Sequence, residues 1–292
     1  MTSPAPRRRL EPPVPRRSRA LRGLTSRVAL GACVAAALVL MVPVVLLVAH
    51  LLVHGAPALR PGFFIHMPKP VGEPGGGMAN AIVGTLILVG LASAMAVPVG
   101  VGAGLYLAEF GEGRFASVLR YAVDVLGGVP SIVVGVAAYG LIVVPMGRFS
   151  ALAGSVALAI LMLPLIIRST EEVVRLVPQS YRHAALALGA PRWKVVQQVV
   201  LPAAHRGITT ACMLSVARAS GETAPLLFTA LGNRFWSVHL DRPIASLPVM
   251  IFDYARAPYA DWNAQAWTGA LVLFGLITLL AGIMRWTTRT IR

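Results

Sequence analysis

The sequence predicts an all-α polytopic membrane protein, with six transmembrane helices and a structured, arginine-rich loop on the cytoplasmic side. Three observations carry that prediction. Apolar residues make up 57% of the 292 and charged residues only 13%, with a mean hydropathy of +0.73, too apolar for a water-soluble domain of this length. A helix needs about 20 mostly apolar residues to cross a bilayer, and such runs recur near 28–53, 79–107, 119–144, 151–167, 207–231 and 267–286. Long barrel-type alternation is absent, and the runs are rich in the Gly and Ala that let helices approach closely in lipid.

The net charge of +15 is sorted by loop. With the N-terminus in the cytoplasm, 19 of the 26 lysines and arginines fall in inner segments and 6 in outer loops, leaving Arg218 inside a span. Cytoplasmic loops carry the excess of Lys and Arg, so both termini are placed inside. The basic balance then reflects topology and contact with anionic membrane lipids, and implies no nucleic-acid partner. Cys33 and Cys212 both fall in expected spans, so no disulfide framework is implied. The first apolar run is too long for a signal-peptide core and is read as a retained span.

Residues 1–27, rich in Pro and Arg, bury too little surface to order themselves and are expected to form a disordered cytoplasmic tail. The first transmembrane helix covers 28–53. Residues 54–78 carry Pro57, Pro61, Pro68, Pro70 and three successive glycines, the composition of a solvated outer connector. Pro98 and several glycines make the second span a bent, closely packed helix. In the third span Gly127-Gly128-Val129-Pro130-Ser131 interrupts the helix. Backbone freed at membrane depth must line a cavity or pack on protein, so Gly128, Pro130 and Ser131 mark either a pathway or a structural kink. Asp124, about a turn earlier, is either interfacial or buried.

The loop 170–204 is the one long polar interruption that reads as structured. Ser169 and Glu172 form a capping box that starts a short helix, stopped by Pro178. Ser180 opens a second helix over 181–188 with Gly189 as its stop, and Pro191 suits the first turn of a third running to Leu201. The turn presents Leu186, Leu188 and Trp193 beside Arg192 and Lys194. Apolar anchors ringed by cations fit a groove on a soluble partner, or equally an interfacial helix lying on lipid.

In the fifth span Arg218 and Glu222 stand four apart, on one face of a helix, at a depth where ionisable groups are usually functional. Pro225 removes the hydrogen bond to the Gly221 carbonyl and bends the helix beside the pair. A guanidinium offers a rigid fork of donors matched to oxyanions such as phosphate. Glu222 would pair with Arg218 in the empty site, then accept a hydrogen bond from a protonated oxyanion, selecting hydrogen phosphate over sulfate. The competing reading is a structural intrahelical ion pair. Residues 232–266 form a second outer loop whose mixed charges and aromatics suit an external partner or interfacial anchoring.

There is no phosphate loop of Gly, four residues, Gly, Lys, Ser or Thr, and no His, Asp or Cys cluster at metal or triad spacing. The chain is therefore expected to be no enzyme, with no catalytic residue and no metal.

Three stretches carry a family resemblance. His183-Ala184-Ala185, three residues, Gly189, nine residues, Val199, one residue and Leu201-Pro202 resembles the cytoplasmic loop motif of ABC importer permeases, with His183 where that family usually has Glu. At the third position after Ser180, a Glu would complete a capping box. Ala217-Arg218-Ala219-Ser220-Gly221-Glu222-Thr223-Ala224-Pro225-Leu226-Leu227 and Gly127-Gly128-Val129-Pro130-Ser131-Ile132-Val133-Val134-Gly135 resemble the fifth-span and third-span motifs of PstA-type phosphate permeases. The resemblance implies a type I permease domain over 79–286. Its coupling loop, 170–204, would dock through His183, Ala184, Ala185, Gly189, Leu201 and Pro202 on an ATPase. It implies a substrate path at Arg218 and Glu222, with the helix breaks at Gly128, Pro130, Ser131 and Pro225 beside it. The partners implied are a homologous PstC-type permease, two ATPase subunits and an external phosphate-binding protein, in a bacterial plasma membrane. This chain would bind no cofactor, ATP and Mg sitting on the ATPase. The alternatives are a permease for phosphonate, molybdate or sulfate, and a membrane-embedded enzyme of lipid or envelope metabolism.

Overall fold

The computed structural model describes residues 16–71, 73 and 75–290, which fall into two units divided between His50 and Leu51. The first unit is the greater part of one apolar helix, α1 (Arg16–Gly55). It begins earlier than expected. Residues 16–27 are helical, their Arg, Ala and Leu being good helix formers that extend a long apolar helix at little cost. The rest of the expected disordered tail, 1–15, lies outside the described residues.

In the second unit α2 (Ala79–Glu109) and α3 (Arg114–Gly128) are followed by α4 (Ser131–Ala138). A wide π-type turn at Tyr139–Val143 leads into α5 (Val144–Met146). Next come α6 (Ala151–Arg175), α7 (Gln179–Ala187) and α8 (Arg192–Val195). A second wide turn, Val196–Val200, joins α8 to α9 (Leu201–Ser220), and α10 (Ala224–Thr229), α11 (Leu247–Arg256) and α12 (Ala260–Thr290) complete the chain. Among the described residues five helices are long and apolar enough to cross a membrane. The α3 to α5 stretch, bent by 103°, makes a sixth if it is one span.

The core centres on α6, packed against α2, α9, α3, α4 and α10. α2 buries small residues at every fourth position, Ala92, Ala96, Gly100 and Gly104, on the side that packs on α6, with Gly100 against Ile166 and Gly104 against Ile167 and Thr170. Small side chains at that spacing let two backbones approach closely, which is how helices gain contact where lipid removes the hydrophobic drive. At the far end of α2, Met78 and Ala81 pack with Leu247, Met250 and Tyr254 of α11, and Tyr254 stacks on Trp262 of α12 at 4.4 Å between ring centroids.

Several boundaries differ from expectation. No helix starts at Ser169, because α6 runs through it to Arg175: Ile166, Ile167, Thr170, Glu171 and Val174 keep the helical spacing of a buried face. α7 starts at Gln179 behind Pro178, with no side-chain cap, so Ser180 lies inside its first turn. The third short helix is no separate element. α8, the wide turn and α9 form one candidate span, Arg192–Ser220, that passes through Pro202. Proline lacks the N–H that the carbonyl four residues earlier would accept, and a wide turn just before it absorbs the missing bond. The expected outer loop at 232–266 holds α11 and the start of α12.

Candidate functional site

The break in the third span is where the sequence places it. α3 ends at Gly128, Val129 and Pro130 are extended, and α4 starts at Ser131. The fifth span breaks too. α9 stops at Ser220, its Gly221 N–H and Glu222 N–H bonding back to Arg218 and Ala219 carbonyls, and α10 restarts at Ala224 with Pro225 in its first turn. Pro225 therefore opens a new helix, where its missing N–H is harmless, and does not kink a continuous one. Arg218 is in the last turn of α9, where a cation complements the helix dipole. Glu222 lies beyond the helix end, yet its Oε1 stays 3.7 Å from Arg218 Nε. The Arg218 side chain is 66% exposed and that of Glu222 18%.

The two breaks are neighbours. α4 crosses α10 so tightly that a Cβ on Gly135 would lie 2.7 Å from Pro225 Cα. Beside them Arg218 lines a cavity of about 220 Å³ with Asp124 and Gly127 of α3 and Pro164 and Arg168 of α6. Arg168 donates from Nε to Asp124 Oδ1 at 2.7 Å, and its Nη2 bonds the same oxygen. Two guanidiniums and one carboxylate thus face one hollow between apolar helices, a donor set suited to an oxyanion. Glu222, Gly128, Pro130, Ser131 and Pro225 do not line this hollow. Sequence reading missed Arg168 because it ended the fourth span at residue 167. The helical spacing that continues through Thr170, Glu171 and Val174 was the signal that could have found it.

The second functional region is the turn between α7 and α8. Gly189 takes φ +81°, the left-handed conformation glycine adopts freely, and this lets Ala190 N–H bond the Ala185 carbonyl at 3.2 Å and close the helix. The elbow displays Leu188 at 88% exposure, with Trp193 and Tyr181 also exposed and Lys194 over the Trp193 ring at 5.5 Å. His183 faces a 330 Å³ cavity beneath the elbow, shared with Glu109, Glu112, Arg175, Arg182 and Arg192. Ala184 and Ala185 are in α7, and Leu201 and Pro202 open α9. The N-cap position of α7 is Pro178, so Ser180 and His183 form no capping box.

A helical bundle with two neighbouring helix breaks, a charged hollow beside them and an apolar elbow at one end is the architecture of a membrane transport permease. Residues 100–292 match the family model described as "Binding-protein-dependent transport system inner membrane component". The phosphate transport system permease protein PstA of Yersinia pestis is 46% identical over 77% of this chain and 77% of its own length. PstA of Haemophilus influenzae is 44% identical over 82% and 83%, and PstA 1 of Mycobacterium tuberculosis strain H37Rv 39% over 77% and 76%. The chain belongs to the binding-protein-dependent inner-membrane permeases and, among them, to the PstA family. Its fold is that of a chain in the MetNI methionine ABC transporter, solved in inward-facing conformations, with a TM-score of 0.61 at 20% identity over 74% of this chain and 97% of that one.

Proposed function

We propose that this chain is the transmembrane permease subunit of an ATP-driven importer of inorganic phosphate. It forms the translocation path with a homologous PstC-type permease, in a bacterial plasma membrane with both termini cytoplasmic. The observation that carries the reading is the Arg218 hollow. A guanidinium two-thirds exposed on this chain, at the end of a span and beside a helix break, needs a polar surface opposite it, because Glu222 covers only part of the charge and lipid would leave the rest unsolvated. A second permease sharing the path would supply that surface. Arg168 and Arg218 hold the anion, and Glu222 accepts the hydroxyl of hydrogen phosphate, which deprotonated sulfate lacks. The helix breaks at Gly128–Ser131 and Gly221–Pro225 leave backbone free to line the path. The elbow at Gly189 docks on one of two ATPase subunits, which carry the ATP and Mg, and an external phosphate-binding protein delivers substrate at the opposite end. Names and identities of the relatives support phosphate as the cargo.

The test is Arg218→Ala in the assembled complex, with uptake of labelled phosphate as the readout. Uptake is abolished while the subunits still copurify. Normal uptake would refute the reading. Competition by phosphonate, molybdate and sulfate separates phosphate from the other oxyanions.

A further inference from the structure

At the elbow end, buried charges outside the Arg218 hollow tie four elements together. Arg182 of α7 is only 8% exposed although it is an arginine on a surface elbow. Its Nη2 donates to Glu109 Oε1, the last residue of α2, at 2.6 Å, and to the Val174 carbonyl at the end of α6 at 2.9 Å. Nη1 donates to the Val177 carbonyl just beyond. Arg120 of α3 makes the matching set. Its Nε donates to Glu171 Oε1 of α6 at 2.7 Å, and its Nη2 to the Leu107 and Gly111 carbonyls around the end of α2 at 2.7 and 3.1 Å. Arg175 holds the same Glu171 oxygen at 2.6 Å. Arg182 and Arg120 therefore each bond carbonyls at helix ends while neutralising a carboxylate drawn from another element, and Arg175 pairs with Glu171 within α6.

This geometry resists sliding. A guanidinium fork is planar and its donors are fixed in direction, so a shift of the elbow against α2 and α6 would strand a buried charge and free carbonyls together. The elbow, the end of α2 and the end of α6 are thus tied as one body, and Arg120 adds α3 to it. Both tied helices reach the Arg218 hollow. Asp124 follows Arg120 by one turn on α3, and Arg168 precedes Glu171 by about one turn on α6.

We propose that Arg182 on Glu109 and Arg120 on Glu171 are positioning residues that carry a displacement of the elbow to the α3 and α6 walls of the Arg218 hollow, and so couple nucleotide events to the path. The inference rests on the transport reading above. Its test uses the complete complex in liposomes with Arg182→Gln, Glu109→Gln and Arg182→Lys, measuring phosphate uptake and ATP hydrolysis together. A reporter, Val125→Cys on α3 with Cys33 and Cys212 replaced, is alkylated with and without a non-hydrolysable ATP analogue. The two Gln variants keep hydrolysing ATP but lose about ten-fold in phosphate moved per ATP, and the reporter loses its nucleotide response. Arg182→Lys, which retains the charge with fewer directed donors, falls between. Uptake and hydrolysis falling in proportion, an unchanged ratio, or a reporter that still responds would overturn the proposal. So would failure of all three variants to assemble, which makes the network structural only. Glu109→Gln leaves the guanidinium and its carbonyl partners in place, so it carries the test if Arg182→Gln does not fold. The alkylation readout needs no phosphate, so an unsubstituted complex that moves no phosphate sinks the functional reading alone.

Discussion

Gly135→Ala tests whether the two broken spans cross as closely as described. The added Cβ would sit 2.7 Å from Pro225 Cα, whereas ordinary contact begins at 3.4 Å. α4 and α10 must therefore separate by about 0.7 Å, and backbone on both sides cannot yield as a flexible side chain would. Overpacking of this kind destabilises by about 1–3 kcal/mol. Replacing a helical Gly by Ala also favours the helix by up to about 1 kcal/mol, which would mask part of the loss. Gly90→Ala and Gly140→Ala supply the correction, since a Cβ at either meets nothing within 4 Å. The quantity to measure is the difference in thermal unfolding between Gly135→Ala and these controls in the assembled, detergent-solubilised complex. It should amount to about 1–3 kcal/mol, with phosphate uptake reduced in the same variant. A Gly135→Ala complex as stable as the controls would show that the crossing is looser than described, and the neighbourhood of the two breaks would go with it.

Asp124→Asn releases Arg168 from its carboxylate partner, so phosphate should compete at lower external concentration, whereas Arg168→Ala should raise the concentration needed; uptake titrations that move both variants the same way would refute this. Leu188→Asp places a charge on the most exposed apolar side chain of the elbow and should abolish copurification of the ATPase, while a surface change at Thr278 of α12 leaves it intact. Partial desolvation raises the Asp253 carboxyl from its usual value, against the opposing pull of Arg256 and Arg234. The folded protein therefore favours the protonated acid and loses stability as pH rises from the usual value through the raised one. Asp253→Asn should be the more stable form at neutral pH, with the gap closing in acid, as followed by unfolding temperature across pH.

The parts of this fold legible in the sequence are those fixed by local backbone chemistry. The α3 to α4 break follows from two glycines, an extended residue and a proline that needs a free N-terminal position. The elbow follows from a glycine that tolerates left-handed φ between two amphipathic turns. The continuous run of α8 into α9 was hidden because Pro202 reads as a stop, and only a wide turn, which has no residue signature of its own, lets the helix pass it. The end of α6 was hidden for the opposite reason. Arg168, Glu171, Glu172 and Arg175 look like loop composition, yet Glu171 is buried because Arg120 and Arg175 converge on it. Opposite charges in four segments, Glu109, Arg120, Glu171 and Arg182, meet only after the helices pack, and no spacing along the chain announces them. A charge near the end of an apolar run is thus ambiguous in sequence, since the same residue can mark a membrane boundary or a bond between helices. In this chain the arginines that sort by topology are in part the ones that hold the helix ends together, so a substitution made to test orientation would disturb packing as well.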